Sequence, residues 1–177
     1  MKIIETARLI IRQLRADDAP FILRLLNEPS WLRFIGDKGV RTLDDARRYI
    51  LEGPVQMYAR HGFGLWLIEL KGEAVPIGLC GLLKRDSLPD VDIGFALLPT
   101  YWCQGYAFES ASAVISHGRE AMGLGRILAI TSPDNDRSGR LLEKLGFRFE
   151  RLILLPDSSS EVKLYATVPE LPGAVQA

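Results

Sequence analysis

The sequence predicts an α+β fold with a mixed, mostly antiparallel central sheet and helices on both faces. Three strands follow one another between residues 64 and 98, separated only by short polar or glycine turns. Strands with such short connections pair as an antiparallel meander. A strand, a helix and another strand then span residues 90–131. Because that connection is a crossover, it predicts one parallel pair inside the sheet.

The elements before the meander are one strand and two helices. Leu9 and Ile11 alternate with polar neighbours in "RLIIRQL" (8–14), which predicts a half-buried strand. Acidic residues and Pro20 then open one helix. The second begins in "TLDDARRYILEGP", where a Thr-x-x-Asp spacing resembles a capping box and Leu43, Ala46 and Ile50 follow at helical spacing.

The elements after the meander are two helices and three strands. A long helix after residue 105 carries one apolar stripe, formed by Ala107, Ala111, Val114, Ile115, Gly118 and Met122. A short buried strand, "RILAIT", follows, and then a helix over 134–147 that ends at Gly146. Leu141, Leu142 and Leu145 should face inward from that helix. "FRFERLILL" and "EVKLYAT" predict a closing pair of strands.

Length and composition predict a single cytoplasmic domain over residues 1–168, followed by a tail over 169–177. Lys plus Arg equal Asp plus Glu, at 22 each, which argues against nucleic acid or an anionic membrane as the main partner. The two cysteines form no CxxC motif or Cys/His cluster, so no metal site is expected. The sequence shows no signal-peptide pattern and no uncharged apolar run long enough to span a membrane.

One short stretch, "PTYWCQGYAFESA" (99–111), predicts an anion site. It brings Gly105 to the start of the long helix, where unpaired N–H groups and the helix dipole attract anions. Gly105 and Ala107 leave room for a phosphate or pyrophosphate to approach the backbone. An ordinary glycine turn is the alternative interpretation. Neither GxxxxGK[ST] nor GxGxxG occurs, so neither a P-loop nor a dinucleotide fingerprint is supported.

Two longer motifs carry a family resemblance. "DVDIGFALLPTYWCQGYAFESA", followed by "TSPDNDRSGRLLEKLGFR", resembles the GNAT superfamily of acetyl-CoA-dependent N-acetyltransferases. The chain is most similar to the branch of ribosomal-protein N-terminal acetyltransferases (RimJ/RimL-like), from "ETARLIIRQLRADD" to "EVKLYAT". The resemblance implies the acyl-CoA N-acyltransferase fold. The family pattern has arginine or glutamine, then often glycine, where this chain has Trp102 and Cys103.

The resemblance also implies how acetyl-CoA binds. Backbone groups of Phe95 and Leu97 would pair with the pantetheine arm like an added strand. The side chain of Asn135 would hydrogen-bond the pantetheine, although a helix N-cap is an equally good interpretation. Backbone amides after the strand would take the pyrophosphate, and they belong to Cys103, Gln104, Gly105, Tyr106 and Ala107.

Acetyl transfer from a thioester to an amine requires a base, a donor for the oxyanion and an acid for the thiolate. By resemblance, the strand amide near Leu97 is the oxyanion donor and Ser138 protonates the thiolate. Ser138 could instead satisfy a local backbone group. Asp92 lies where related enzymes often carry a glutamate, and it is the candidate base, acting directly or through water. A solvated charge at a strand edge is the alternative for Asp92.

The sequence therefore predicts an enzyme that transfers the acetyl group of acetyl-CoA to a primary amine by direct attack on the thioester. The acceptor would be a small molecule or a protein N-terminus, and pairing within the branch suggests a homodimer. Trp31 and Phe34 line an acceptor groove or simply pack. Two other interpretations stay open, a GNAT-like domain that binds CoA without turnover and an unrelated anion-binding α+β domain.

Overall fold

The computed structural model describes residues 1–156 and 158–168, so the predicted tail lies outside the described residues. Eight strands form one sheet in the order β1-β2-β3-β4-β5-β6-β8-β7. All neighbouring strands pair antiparallel except β5 and β6. The strands are β1 (Lys2–Glu5), β2 (Leu9–Arg12), β3 (Leu65–Leu70), β4 (Val75–Leu83), β5 (Asp92–Leu97), β6 (Leu128–Thr131), β7 (Phe147–Leu154) and β8 (Glu161–Thr167).

Within the described ranges, six α-helices connect or precede these strands. They are α1 (Ala19–Leu26), α2 (Pro29–Phe34), α3 (Leu43–Ile50), α4 (Gln56–His61), α5 (Tyr106–Met122) and α6 (Asp136–Lys144). A π-helical stretch, Leu51–Val55, joins α3 to α4. None of the helices in the described part of the chain is long and apolar enough to cross a membrane.

The sheet has a hydrophobic core on each face, which confirms the predicted fold class. On one face α5 packs through Ala111, Val114 and Ile115 against strand residues that include Trp66 and Ile93. On the other face α1 and α3 pack against Leu67, Leu79 and Leu98, among others. The layers are therefore helix, sheet and helix, with the central strands buried on both sides.

Most of the predicted elements are present, and the differences are local. The capping box of α3 is confirmed, since Thr42 accepts from the Asp45 amide at 3.1 Å and Asp45 accepts from the Thr42 amide at 3.0 Å. Of the three apolar residues at helical spacing, Ala46 and Ile50 are buried, whereas Leu43 lies at the first position of α3 and is 42% exposed. The sequence interpretation also missed β1, α2 and α4, which have only four to six residues each. Such short segments contain too few repeats for a periodic signal.

The predicted parallel pair, β5 and β6, is the feature that shapes the site. In the ladder these strands are paired only at Asp92 and Leu128. The antiparallel ladder between β4 and β5, by contrast, continues from Asp92 to Leu97. The two parallel strands therefore diverge, and a gap opens between them toward the carboxyl end of β5. The loop into α5 and the N-terminus of α6 both lie after strands that border this gap.

Candidate active site

Backbone groups of β5 line one wall of the gap. The Leu128 amide donates to the Val91 carbonyl at 2.9 Å, so Val91 directs its backbone groups toward β6. The Leu98 amide donates to Ile77 on the β4 side, also at 2.9 Å. Because backbone groups alternate in direction along a strand, Phe95 and Leu97 direct theirs toward the gap. A pantetheine arm that pairs with β5 like an added strand requires this orientation.

The loop after β5 has two residues in the left-handed region. Gly105 is the N-cap of α5, with φ +83°, and Cys103 has φ +59°. A non-glycine residue pays a steric penalty in that region, which explains why the family pattern often carries glycine at the position of Cys103. Cys103, Gln104 and Gly105 are exposed, while Tyr106 and Ala107 are half-buried at the first turn of α5. The loop thus presents its backbone at a helix N-terminus.

Arg8, which the sequence interpretation did not single out, wraps this loop from the turn between β1 and β2. Its Nη1 donates to the Gln104 carbonyl at 2.9 Å, and its guanidinium lies 4.4 Å from the centre of the Tyr106 ring. Its Nε donates to Glu109 at 2.7 Å. Burial acts to raise the pKa of Glu109, but hydrogen bonds from Thr6 and Arg8 outweigh it and hold that pKa below its usual value.

Trp102 connects the strand, the loop and the second helix. Its Nε1 donates to the Leu97 carbonyl at 2.8 Å. The Arg137 guanidinium of α6 lies 4.9 Å from the centre of the Trp102 ring, in the range of a cation–π contact. The tryptophan that departs from the family pattern therefore occupies one of the acceptors that face the gap. This bond uses only the Leu97 carbonyl. The Leu97 amide, which points to the same side of β5, takes no part in it.

Asn135 and Ser138 lie together at the start of α6. The Asn135 side chain accepts from the Ser138 amide at 3.1 Å, so Asn135 is an N-cap. The Nδ2 group of Asn135 is a donor that this bond does not use. The Ser138 side chain is half-buried, one helical turn from the loop that follows β6. Neither assigned role is tested by these contacts, and both stay predictions.

Asp92 is buried and ion-paired, so it is not the solvated edge charge that was the alternative interpretation. Its carboxylate oxygens lie 3.0 and 3.1 Å from Nε of Arg85, and its side chain is 1% exposed. Burial raises the pKa of Asp92, and the positive charge of Arg85 opposes that shift. Asp92 lies where β5 and β6 are paired, at the closed end of the gap.

A buried hydroxyl at the end of β6 has no hydrogen-bond partner among the described residues. It is Oγ1 of Thr131, and buried polar groups are usually paired. Thr131 is the last residue of β6, the strand that forms the other wall of the gap. This orphaned hydroxyl, the backbone of Phe95 and Leu97, and the loop at Gly105 together suit a polar arm ending in a diphosphate, as in acetyl-CoA.

Helix α2 lies close to the N-terminus of α6. Arg33 of α2 donates from Nη2 to Asp134 at 2.9 Å, and Asp134 precedes α6. Trp31 is buried in the core beneath α1 and α3, so it packs and does not line an open groove. Phe34 is half-buried beneath the Arg33 guanidinium. Among the described residues, no group of three or more His, Cys, Asp or Glu side chains could hold a metal ion.

Comparison with known proteins identifies the family to which the chain belongs. The sequence profile of the acetyltransferase (GNAT) domain family matches residues 8–148. The uncharacterized N-acetyltransferase YoaA of Bacillus subtilis is 32% identical over 152 residues, covering 85% of each chain. The crystal structure of a GNAT-family acetyltransferase from Bacillus anthracis is 26% identical, with a TM-score of 0.77 over 95% of this chain and 98% of that one.

Structures of the branch named above have the same fold. RimL, a ribosomal L7/L12 alpha-N-protein acetyltransferase solved with coenzyme A, superposes with a TM-score of 0.78 over 96% of this chain and 98% of its own. At 18% identity, that likeness concerns the fold alone. The profile match and the identity to YoaA cover most of the sequence, and both include the strand, loop and helix that form the gap. The chain belongs to the GNAT family of acetyltransferases.

Proposed function

We propose that this acetyltransferase transfers the acetyl group of acetyl-CoA to a primary amine, either on a small molecule or at a protein N-terminus. The observation that carries the proposal is the gap between β5 and β6, which ends at the Gly105 loop. The GNAT family uses acetyl-CoA, and the gap offers backbone groups for its arm and helix amides for its diphosphate. YoaA and RimL, which this chain resembles, are named N-acetyltransferase and alpha-N-protein acetyltransferase.

Acetyl-CoA supplies an acetyl thioester, and the residues of the gap hold and polarise it. The backbone groups of Phe95 and the side chain of Asn135 bind the arm, whereas Leu97, whose carbonyl accepts from Trp102, contributes only its amide. The amides of residues 103–107 bind the diphosphate. The Leu97 amide donates to the carbonyl oxygen while the amine nitrogen attacks the carbonyl carbon. The nitrogen–carbon bond forms as the carbon–sulfur bond breaks.

Two side chains handle the protons in this proposal. Asp92 takes the proton that the attacking amine loses, and its burial suits a base because a raised pKa brings it closer to neutral pH. Since Asp92 is covered by Arg85 and lies at the opposite end of β5 from Leu97, a chain of water molecules along the gap relays the proton. Ser138 gives its hydroxyl proton to the departing sulfur and regains a proton from water in the gap, to which Asp92 returns the proton of the amine. The acceptor, the homodimer and the cytoplasmic location remain predictions.

A thermal melt with excess acetyl-CoA, against pyrophosphate as control, tests cofactor binding first. A ligand at about 100 times its dissociation constant stabilises by roughly 2.7 kcal/mol, which raises the midpoint by about 5–10 °C in a chain of this size. Thiol release with a panel of amines, including peptides with free N-termini, then tests transfer. A shift without turnover on any amine would favour a domain that only binds CoA, and no shift would overturn the proposal.

A further inference from the structure

The turn between β1 and β2, residues 6–8, is hydrogen-bonded to the start of α5 through groups that the proposed chemistry does not use. The Glu109 carboxylate accepts from Thr6 Oγ1 at 2.7 Å, from the Arg8 amide at 2.9 Å and from Arg8 Nε at 2.7 Å. Glu109 lies one turn into α5, so these three bonds tie the first turn of the helix to the turn between the strands.

The Arg8 guanidinium extends from this anchor onto the loop itself. Its Nη1 donates to the Gln104 carbonyl, and its central carbon lies over the Tyr106 ring. Its Nη2 lies 3.1 Å from the point where a Cβ on Gly105 would stand. One planar side chain therefore contacts three consecutive residues of the loop, and it brings a positive charge beside Gly105.

The loop needs such support because of its backbone conformation. Gln104 lies between Cys103 and Gly105, which both have positive φ. A non-glycine residue in that region persists where its surroundings hold it. Arg8 holds the carbonyl between the two left-handed residues, and the Glu109 pair fixes Arg8 in turn.

We propose that Arg8 is a positioning residue for the diphosphate of acetyl-CoA. It keeps the loop over residues 103–107 in the conformation in which its amides receive the diphosphate, and its charge favours an anion beside Gly105. The inference rests on the proposed function, since it concerns how the same cofactor is held. Pantetheine lacks the diphosphate, so substitution of Arg8 should leave the affinity for pantetheine unchanged.

The test is calorimetric titration of CoA and of pantetheine into the parent and into Arg8→Gln. The variant should bind CoA about tenfold more weakly, the lower limit for a hydrogen bond to a charged group, while its affinity for pantetheine stays equal to that of the parent. Arg8→Lys keeps the positive charge but loses the planar guanidinium, so its affinity for CoA should lie between those of the parent and Arg8→Gln. Arg126→Gln is the matched control, because Arg126 also bridges carboxylates, those of Asp90 and Glu150, and should leave both affinities unchanged.

The outcomes separate this inference from the proposed function. If the parent does not bind CoA, the proposed function fails and the inference with it. If the parent binds CoA and Arg8→Gln binds it equally well, only the inference is overturned. An equal loss for CoA and pantetheine would also overturn it, because a general distortion affects both ligands. The Arg8 side chain is 47% exposed, so the variant should fold; if it does not, Arg8→Lys decides with the same two ligands.

Discussion

At its carboxyl end β5 separates from β6 and runs into a glycine turn at the N-terminus of α5, in which Cys103, Gln104 and Gly105 are exposed. At its amino end the same strand is paired on both sides, and Asp92 is buried there against Arg85. The open end has geometry suited to a ligand that approaches the backbone. The closed end has a charged side chain in a site with little access to solvent.

The difference between the two ends shows which parts of a site can be predicted from a short run of consecutive residues. The open end depends on a glycine, a helix start and an apolar strand, all within about fifteen consecutive residues. The closed end depends on the contact between Asp92 of β5 and Arg85 of the link that precedes this strand. Binding is therefore expected to be most sensitive at Gly105, and chemistry at Asp92 and Ser138.

Gly105→Val should have the largest effect and abolish acetyl-CoA binding. A β-branched residue at φ +83° is strained by about 1–2 kcal/mol, and its Cβ would lie 3.1 Å from Arg8 Nη2, on the surface that the diphosphate approaches. Titration of acetyl-CoA should show no binding. Gly123→Val is the matched control, since Gly123 at the other end of α5 has φ +66° and no atom near its Cβ position. Unchanged binding in Gly105→Val would remove the loop from the site.

Asp92→Asn should lower turnover by about 100-fold or more with little change in acetyl-CoA affinity, if Asp92 is the base. Asparagine keeps the shape but cannot accept the proton. The rate at saturating substrates, followed from acidic to neutral pH, should lose the limb that reports the raised pKa of Asp92. An intact limb in the variant would assign the base to another group.

The same substitution also predicts a pH dependence of stability. Burial raises the pKa of Asp92 above its unfolded value of 3.8, so the folded chain binds this proton more tightly than the unfolded chain. Its contribution to the unfolding free energy therefore falls as pH rises from the unfolded pKa through the folded one. Relative to the parent, Asp92→Asn should gain stability in urea unfolding as the pH rises above about 4. A relative loss over that range would show that the Arg85 pair outweighs burial.

Ser138→Ala should lower turnover by about 100-fold and leave acetyl-CoA affinity unchanged, since protonation of the thiolate occurs only during the reaction. Stability should also change little, because the hydrogen bond to Asn135 uses the backbone amide of Ser138 and not its hydroxyl. Ser132→Ala, on the other side of the N-cap, is a control for general disturbance of the α6 start. Equal turnover in Ser138→Ala and the parent would exclude Ser138 from the mechanism.

The sequence predicted the fold and the open end of β5 well, because turn residues, caps and periodicity are local signals. The capping box of α3 and the glycine N-cap of α5 are both short patterns with a direct geometric meaning. The Arg8–Glu109 pair joins residues 101 positions apart, and the Arg85–Asp92 pair depends on the link between β4 and β5. The residues adjacent to Arg8 and Asp92 in the sequence do not specify such contacts. The sequence interpretation therefore missed Arg8 and left open that Asp92 is a solvated charge.

Thr131→Val should have the smallest effect and a distinctive sign. Removing a buried hydroxyl that has no partner relieves a desolvation penalty of about 1–3 kcal/mol, so the variant without ligand should melt at a higher temperature than the parent. If the hydroxyl pairs with the arm of acetyl-CoA, the same change should weaken binding by about tenfold. The affinity for acetyl-CoA would then fall while the melting temperature of the free protein rises.

Thr131→Ser is the control for that experiment, because it keeps the hydroxyl and loses only a methyl group. It should bind acetyl-CoA like the parent and gain no stability. Weaker binding in Thr131→Val alone would extend the ligand site from the β5 wall to the β6 wall, since Thr131 ends β6. Equal binding in all three proteins would confine the site to β5 and the Gly105 loop, and would leave the buried hydroxyl as a cost to folding.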